Sequence, residues 1–157
     1  MPDFAPHDHD ACVASALSAA EATCAERGLR LTEGRRRVLE ILLEAHRALG
    51  AYEVLDRLRD EGRPAQPPVA YRALDFLMAQ GFVHRIERLN AFVACARPGV
   101  DHAAAFLICR SCAAVAETPV SPGGGRLGNA ARASGFALEA MTMEAEGLCP
   151  SCREGAS

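Results

Sequence analysis

PPVAYRALDFLMAQGFVHRIERLNAFVAC, residues 67–95, decides the fold. Pro68 suits the first position of a helix, where the missing N–H leaves no bond unmade. From there Ala70, Leu74, Leu77 and Met78 recur at helical spacing and form one apolar stripe, while Tyr71, Arg72 and Asp75 lie on the other face. The spacing predicts a helix to about Gln80, stopped by Gly81. FVHRIE and AFVAC follow as two strand-like runs separated only by RLN, which is a hairpin signal. A helix that runs straight into a hairpin reads as the reading helix and wing of a winged helix-turn-helix, provided further helices precede it.

They do. From Ala11 to Arg27 the apolar residues Val13, Leu17, Ala20 and Cys24 keep helical spacing, with Gly28 as a stop. Thr32 can cap the next helix, with Glu33 in its first turn; Val38, Leu39, Leu42 and Leu43 face a core, and the helix ends near His46. A third helix, from about Ala51 to Glu61, buries Val54, Leu55 and Leu58. The connector EGRPAQPP is too rich in proline for a helix to cross. Residues 1–10 read as a disordered tail and 11–95 as the winged-helix DNA-binding domain.

Downstream of Cys95, residues 96–102 read as a hinge and 103–157 as a small α/β domain. The latter predicts a strand (AAAFLI), a CxxC knuckle, a strand (AVAE), a glycine-rich turn, a helix over about Gly125–Ser134, a strand (FALEAMTMEAEG) and a second CxxC. The fold class is α+β. Each part alone is near the size at which a hydrophobic core is marginal, so a structural metal or a partner subunit is a natural supplement.

Composition narrows the setting. The N-terminal decapeptide is acidic and has no apolar run, and nothing approaches the roughly 18 apolar residues of a spanning helix, so a soluble, cytoplasmic protein without membrane contact is expected. The net charge of −3 does not itself favour a nucleic-acid partner. There is no lysine, so all seventeen positive charges are arginines. Five of them (27, 30, 35, 36 and 37) fall between residues 26 and 37 against Glu26 and Glu33, and Arg35 is an expected phosphate ligand. A solvated helix face explains that segment equally well.

Among seven cysteines, Cys109/Cys112 and Cys149/Cys152 form two CxxC pairs with 36 residues between them. In a reducing compartment such pairs serve as metal ligands or redox catalysts rather than disulfides. Two tight turns, each placing two sulfurs on one side, complete a tetrahedron around Zn²⁺. Four thiolates leave a formal charge of −2, for which knuckle N–H groups, Arg110 and Arg153 are the expected compensation. A thiol-redox enzyme is the rival reading; it wants a CxxC that opens a helix after a strand, whereas CPSC lies five residues from the end of the sequence. A zinc-stapled interaction module that senses nothing is the other. His84, Cys95, His102 and Glu117 are a subtler set. Singly they read as a core histidine, a small buried hydrophobe, a surface residue and a strand-end charge, and spacing alone does not link them.

GLRLTEGRRRVLEIL, AYEVLDRL, VAYRALDFL, GFVHRIE and the CxxC…CxxC tail, in that order, resemble the ferric uptake regulator family, in particular its zinc-sensing branch. The resemblance runs from about Cys24 to Cys152. It implies a homodimeric, zinc-responsive repressor and not an enzyme. Bound to zinc, such a protein grips palindromic double-stranded operator DNA and controls zinc uptake genes. It implies two zinc ions per chain: a structural one on Cys109, Cys112, Cys149 and Cys152, and a regulatory one on His84, Cys95, His102 and Glu117 that bridges the hinge. Tyr71 and Arg72 match the pair that approaches bases, and Tyr52 matches a residue near phosphate. Asp56 and Arg59, by default an intrahelical pair, match a surface through which neighbouring dimers meet on DNA. A regulator answering to another metal or to peroxide is the alternative within the family.

Three departures stand out. Val69-Ala70 replaces the common Thr-Val and loses a hydroxyl. His102 stands alone where a histidine-rich run is frequent, which argues against an iron or manganese sensor. PVSPGGG replaces the usual helix start after Glu117, which predicts a short dimerisation helix. Within the implied regulatory set, the thiolate of Cys95 is the reason to expect zinc, because histidine and carboxylate alone do not select against Mn²⁺ and Fe²⁺.

Overall fold

A computed structural model of the chain describes residues 4, 8–45, 47–96, 98, 103–121 and 123–155. The chain divides into two compact units, one within residues 5–100 and one within 101–157, to which Phe4 also belongs.

The first unit begins with α1 (His9–Glu26), capped by the Asp8 carboxylate, which accepts from the Ala11 N–H at 3.2 Å. The helix therefore starts two residues inside the stretch read as tail, because Asp8 satisfies an amide that would otherwise be orphaned. Helix α2 (Glu33–Glu44) is capped by Thr32, whose hydroxyl accepts from the Arg35 N–H at 3.4 Å. Helix α3 (Ala51–Asp60) starts at Gly50, and the Glu53 carboxylate reaches back to the Gly50 N–H at 2.9 Å. Helix α4 (Pro67–Ala79) takes Pro67 as well as Pro68 into its first turn, so it begins one residue before the sequence expectation. It ends before Gly81, whose φ of +80° is a conformation that glycine adopts without strain.

One face of each helix meets in a common core. Leu17 and Cys24 of α1, Val38 and Ile41 of α2, Val54 and Leu58 of α3, and Leu74 and Leu77 of α4 are all buried there. The proline-rich connector is tied down by charge. Arg37 of α2 pairs with Glu40 and Glu44 of its own helix and with Glu61, just after α3. That guanidinium holds the Glu61 carboxyl below its ordinary range, and Arg63 further along pairs with Glu33 at 3.0 Å.

The wing is a two-stranded antiparallel hairpin, β1 (Val83–Ile86) and β2 (Ala91–Ala94), in register Val83↔Ala94 to Ile86↔Ala91. A 3₁₀ turn over Glu87–Leu89 and Asn90 in the left-handed region (φ 46°) close it. Leu49 bridges to Phe92 and anchors the hairpin to the segment before α3.

In the second unit β3 (Ala103–Cys109) is the central strand. It pairs antiparallel with β4 (Val115–Val120) and parallel with β5 (Thr142–Gly147), giving the order β4-β3-β5. The parallel pairing requires a crossover, and α5 (Gly125–Ala133) supplies it. At nine residues α5 is short, as the glycine-rich start predicts. Gly128 is required there: a Cβ would collide with the Gly123 carbonyl and lie 3.1 Å from the Gly123 Cα. Two expectations fail. Residues 136–141 are not part of the last strand, whose pairing with β3 begins at Ala104↔Thr142. A final helix, α6 (Pro150–Glu154), starts at the second CxxC, with Cys149 at its N-cap and proline in its first turn. Among the described residues no helix is long and apolar enough to cross a membrane.

Leu74 carries the inner stripe of α4 into the core and is fully buried. Leu74→Ala should lower unfolding stability by about 2–5 kcal/mol. The denaturation midpoint of the purified chain measures this, and a loss below 1 kcal/mol would mean that α4 is not held by this contact.

Candidate metal centres and nucleic-acid interface

The two CxxC pairs meet. Cys109 ends β3, Cys112 lies in the knuckle after it, and Cys149 and Cys152 bracket the first turn of α6, next to the end of β5. Because β3 and β5 are parallel neighbours ending at Cys109↔Gly147, both knuckles leave the same end of the sheet. The four sulfurs lie within 4.8 Å of one another. A tetrahedron with Zn–S of about 2.3 Å has edges of about 3.8 Å, and Cys112 Sγ and Cys149 Sγ are 3.8 Å apart. The donors thus fit Zn²⁺ in number, type and spacing.

Anionic charge is already provided for. Backbone N–H groups of Cys149, Cys112 and Ser111 donate toward Cys109 and, against the effect of burial, hold its thiol down at about 6. The Ser111 hydroxyl acts in the same direction on Cys152. There the neighbouring Cys149, Cys112 and Cys109 thiols and burial outweigh it, and the group is pushed up to about 12. The knuckle amides meet the sequence expectation, and Ser111 is a contributor that it missed; a hydroxyl inside the first CxxC was the available sign. CPSC does open a helix after a strand, the placement that a redox pair wants. The convergence of the other two sulfurs is what distinguishes the site from one.

In the wing, the Cys95 N–H donates to the Phe82 carbonyl at 2.8 Å, and His84 lies opposite Val93. That register puts His84 and Cys95 diagonally on one face of the hairpin. Their ligand atoms lie within 4.8 Å, Cys95 is buried, and so is His84 Nε2. Glu117 is in β4 of the second unit, opposite Phe106 and half-buried. His102, His7 and His46 lie outside the described residues. Cys24 is a core residue whose thiol is raised by burial, and Cys12 is exposed.

The outward face of α4 carries Tyr71, Arg72 and Asp75, all exposed. Tyr52, in the first turn of α3, is exposed too, and with Tyr71 it lines a cleft of about 420 Å³ between α3, α4 and the wing. The arginines sort into two groups. Arg36, Arg37, Arg47, Arg59 and Arg63 are each held by a carboxylate. Arg27 donates to the Gln80 carbonyl at the end of α4. Arg35 is also committed: it stacks over Phe76 at 3.7 Å and donates to the Arg30 carbonyl at 2.8 Å. Among the described residues, the guanidinium groups of Arg30, Arg72, Arg110 and Arg126 have no such partner. In an acidic chain with several arginines paired to carboxylates, Arg72 is an uncommitted cation on the exposed face of α4.

The fold and sites define a winged-helix DNA-binding protein with a four-thiol cluster that fits zinc. The chain belongs to the ferric uptake regulator family, whose profile matches residues 26–146. It is 42% identical over 141 residues to the zinc uptake regulation protein of Escherichia coli (strain K12), covering 88% of this chain and 81% of that protein. The solved structure "Zinc Uptake Regulator Complexed With Zinc AND DNA" is similar at a TM-score of 0.85 and 40% identity, over 92% of this chain and 97% of that one. Holo XcZur is similar at 0.79 and 45% identity, over 89% and 98%.

Cys112 is the most exposed of the four clustered thiols, and its sulfur completes the set of four that fits zinc. Cys112→Ser should release zinc and unfold the second unit, since binding free energy at a structural zinc is folding free energy. Metal content per chain together with amide exchange over β3 and β5 reads this out; retained protection without metal would rule out a structural role.

Proposed function

We propose that this chain is a zinc-responsive transcriptional repressor that binds palindromic operator DNA as a homodimer and controls zinc uptake genes. It is a regulator and not an enzyme. The observation that carries the reading is the pairing of a soft thiol and an imidazole, Cys95 and His84, on one face of the wing that follows the reading helix. Whatever fixes that pair fixes the wing beside α4. Similarity to proteins named as zinc uptake regulators, one of them solved with zinc and DNA, supports the same reading.

In this proposal two zinc ions serve each chain. Cys109, Cys112, Cys149 and Cys152 hold the structural ion. The regulatory ion takes His84, Cys95, His102 and Glu117, a set that rests on the matching motifs. Two anionic donors in that set neutralise a divalent cation, and the thiolate favours zinc over Mn²⁺ and Fe²⁺. Zinc supplies only a crosslink; reading is the work of the chain's own residues. Tyr71 and Arg72 approach base edges in the major groove, Arg72 with the bidentate geometry that suits guanine. Tyr52 approaches the backbone. Arg35 adds positive potential, and through Phe76 it steadies α4. Binding free energies are reciprocal, so operator DNA tightens regulatory zinc by the factor that zinc tightens DNA.

The homodimer is proposed to form through the second unit, where Leu127, Phe136 and Met143 are large apolar side chains left exposed. Asp56 and Arg59, paired at 2.7 Å within α3, are proposed as the surface through which neighbouring dimers meet.

Two measurements test this reading. Cys95→Ser should keep a folded, zinc-stapled dimer and lose zinc-dependent binding to a palindrome selected from random duplexes, read by titrating zinc against a chelator. Undiminished zinc-dependent binding by that variant would overturn the regulatory assignment. Asp56→Arg should abolish cooperative loading of adjacent sites without weakening a single dimer on a single site; unchanged cooperativity would remove the surface.

A further inference from the structure

The outward face of α4 carries an anion that DNA binding in general does not need. Asp75 is exposed, and it lines the cleft beside the wing with Tyr71 and Met78 of its own helix, Tyr52 of α3, and Arg85 and Asn90 of the wing. Among the described residues it forms no ion pair. A carboxylate there repels the phosphates of any duplex that α4 approaches, so it lowers non-specific affinity.

Its failure to pair with Arg72 has a physical cause. Residues three apart on a helix are neighbours, at about 5–6 Å between Cβ atoms. Asp56 and Arg59 have this spacing and do pair, at 2.7 Å. In that pair the acid precedes the base, the order that the helix dipole favours; in Arg72 and Asp75 the order is reversed and the pairing is weaker. Both groups therefore stay available on the reading face.

We propose that Asp75 is a specificity-determining residue, which accepts a hydrogen bond from the N4 amino group of a cytosine in the major groove. A carboxylate is a pure acceptor, and of the major-groove edges it suits the cytosine amino donor best: guanine O6 and N7 and thymine O4 repel it, and the adenine N6 donor lies beside the repelling N7. The Arg72–Asp75 spacing of about 5–6 Å spans one to two base steps of about 3.4 Å. The cytosine therefore lies within two base pairs of the guanine that Arg72 takes, on the wing side of α4. Arg72 adds affinity with its choice of base; Asp75 adds choice while subtracting affinity for everything else.

The inference rests on the function proposed above, and selection from a random pool separates the two. The zinc-loaded full-length chain and its Asp75→Asn and Asp75→Ala variants are each used to enrich a library of randomised duplexes. Expected for the unaltered chain is a palindrome with a guanine and, within two pairs of it, a cytosine. Asp75→Asn should move that one column from cytosine to adenine, whose N6 and N7 an amide matches. Asp75→Ala should leave the column unread and lower discrimination there by about tenfold, while both variants bind random-sequence DNA more tightly. If both variants return the unaltered chain's sequence, the role of Asp75 is overturned and the repressor reading stands. If both enrich nothing, the role is also overturned, because a reader of one base governs one column. If the zinc-loaded unaltered chain enriches nothing, both readings fall.

Discussion

Helix α4 has to be held tightly on one side and left bare on the other. Ala70, Ala73, Leu74 and Leu77 are buried against α2, α3 and the wing, and this inner stripe fixes the rotation of the helix about its own axis. Because successive residues turn by about 100°, that rotation decides which side chains meet solvent. Tyr71, Arg72 and Asp75 point outward because Leu74 and Leu77 point inward. Packing and the display of the outward face are two consequences of one periodicity.

The second unit works under the opposite shortage. Its large buried side chains are few, Phe106 and Ile108 among them, beside a row of alanines at the start of β3. Such a core excludes little water, and the burial of a methyl group contributes little to stability. The thiol cluster fits this shortage. It joins the ends of two neighbouring strands, and the parallel register that brings Cys109 level with Gly147 is the same register that makes the four sulfurs converge. The metal site and the sheet specify each other. The N–H groups that favour a thiolate at Cys109 belong to the knuckles themselves, so backbone geometry contributes to charge compensation.

Electrostatics in the first unit is mostly internal. Arg37 alone satisfies three carboxylates and fastens the proline-rich connector below α3, while Arg27 and Arg35 brace α4 from its end and its flank. A net negative charge therefore says little about the surface that would meet DNA. What matters there is the small remainder of charge that the protein does not consume.

Much of this was legible in the sequence because it depends on period and on local chemistry. The inner stripe of α4, the Thr32 cap, the stop at Gly81, the hairpin over residues 82–95 and the paired cysteines all follow from residue spacing and from which residues tolerate which backbone angles. Tertiary structure decided what spacing cannot carry. Asp8 caps a helix only because α1 has a core to pack on, and residues 136–141 stay out of the sheet, in which β5 pairs with β3 only from Ala104↔Thr142 onward. The sulfurs of two pairs 36 residues apart converge because two strands are parallel neighbours. Arg35, expected from the sequence as a phosphate ligand, is placed over Phe76. Sequence determines which groups a chain owns and how they repeat along it. Folding decides which of them are already engaged with one another, because partners distant along the chain are chosen by packing.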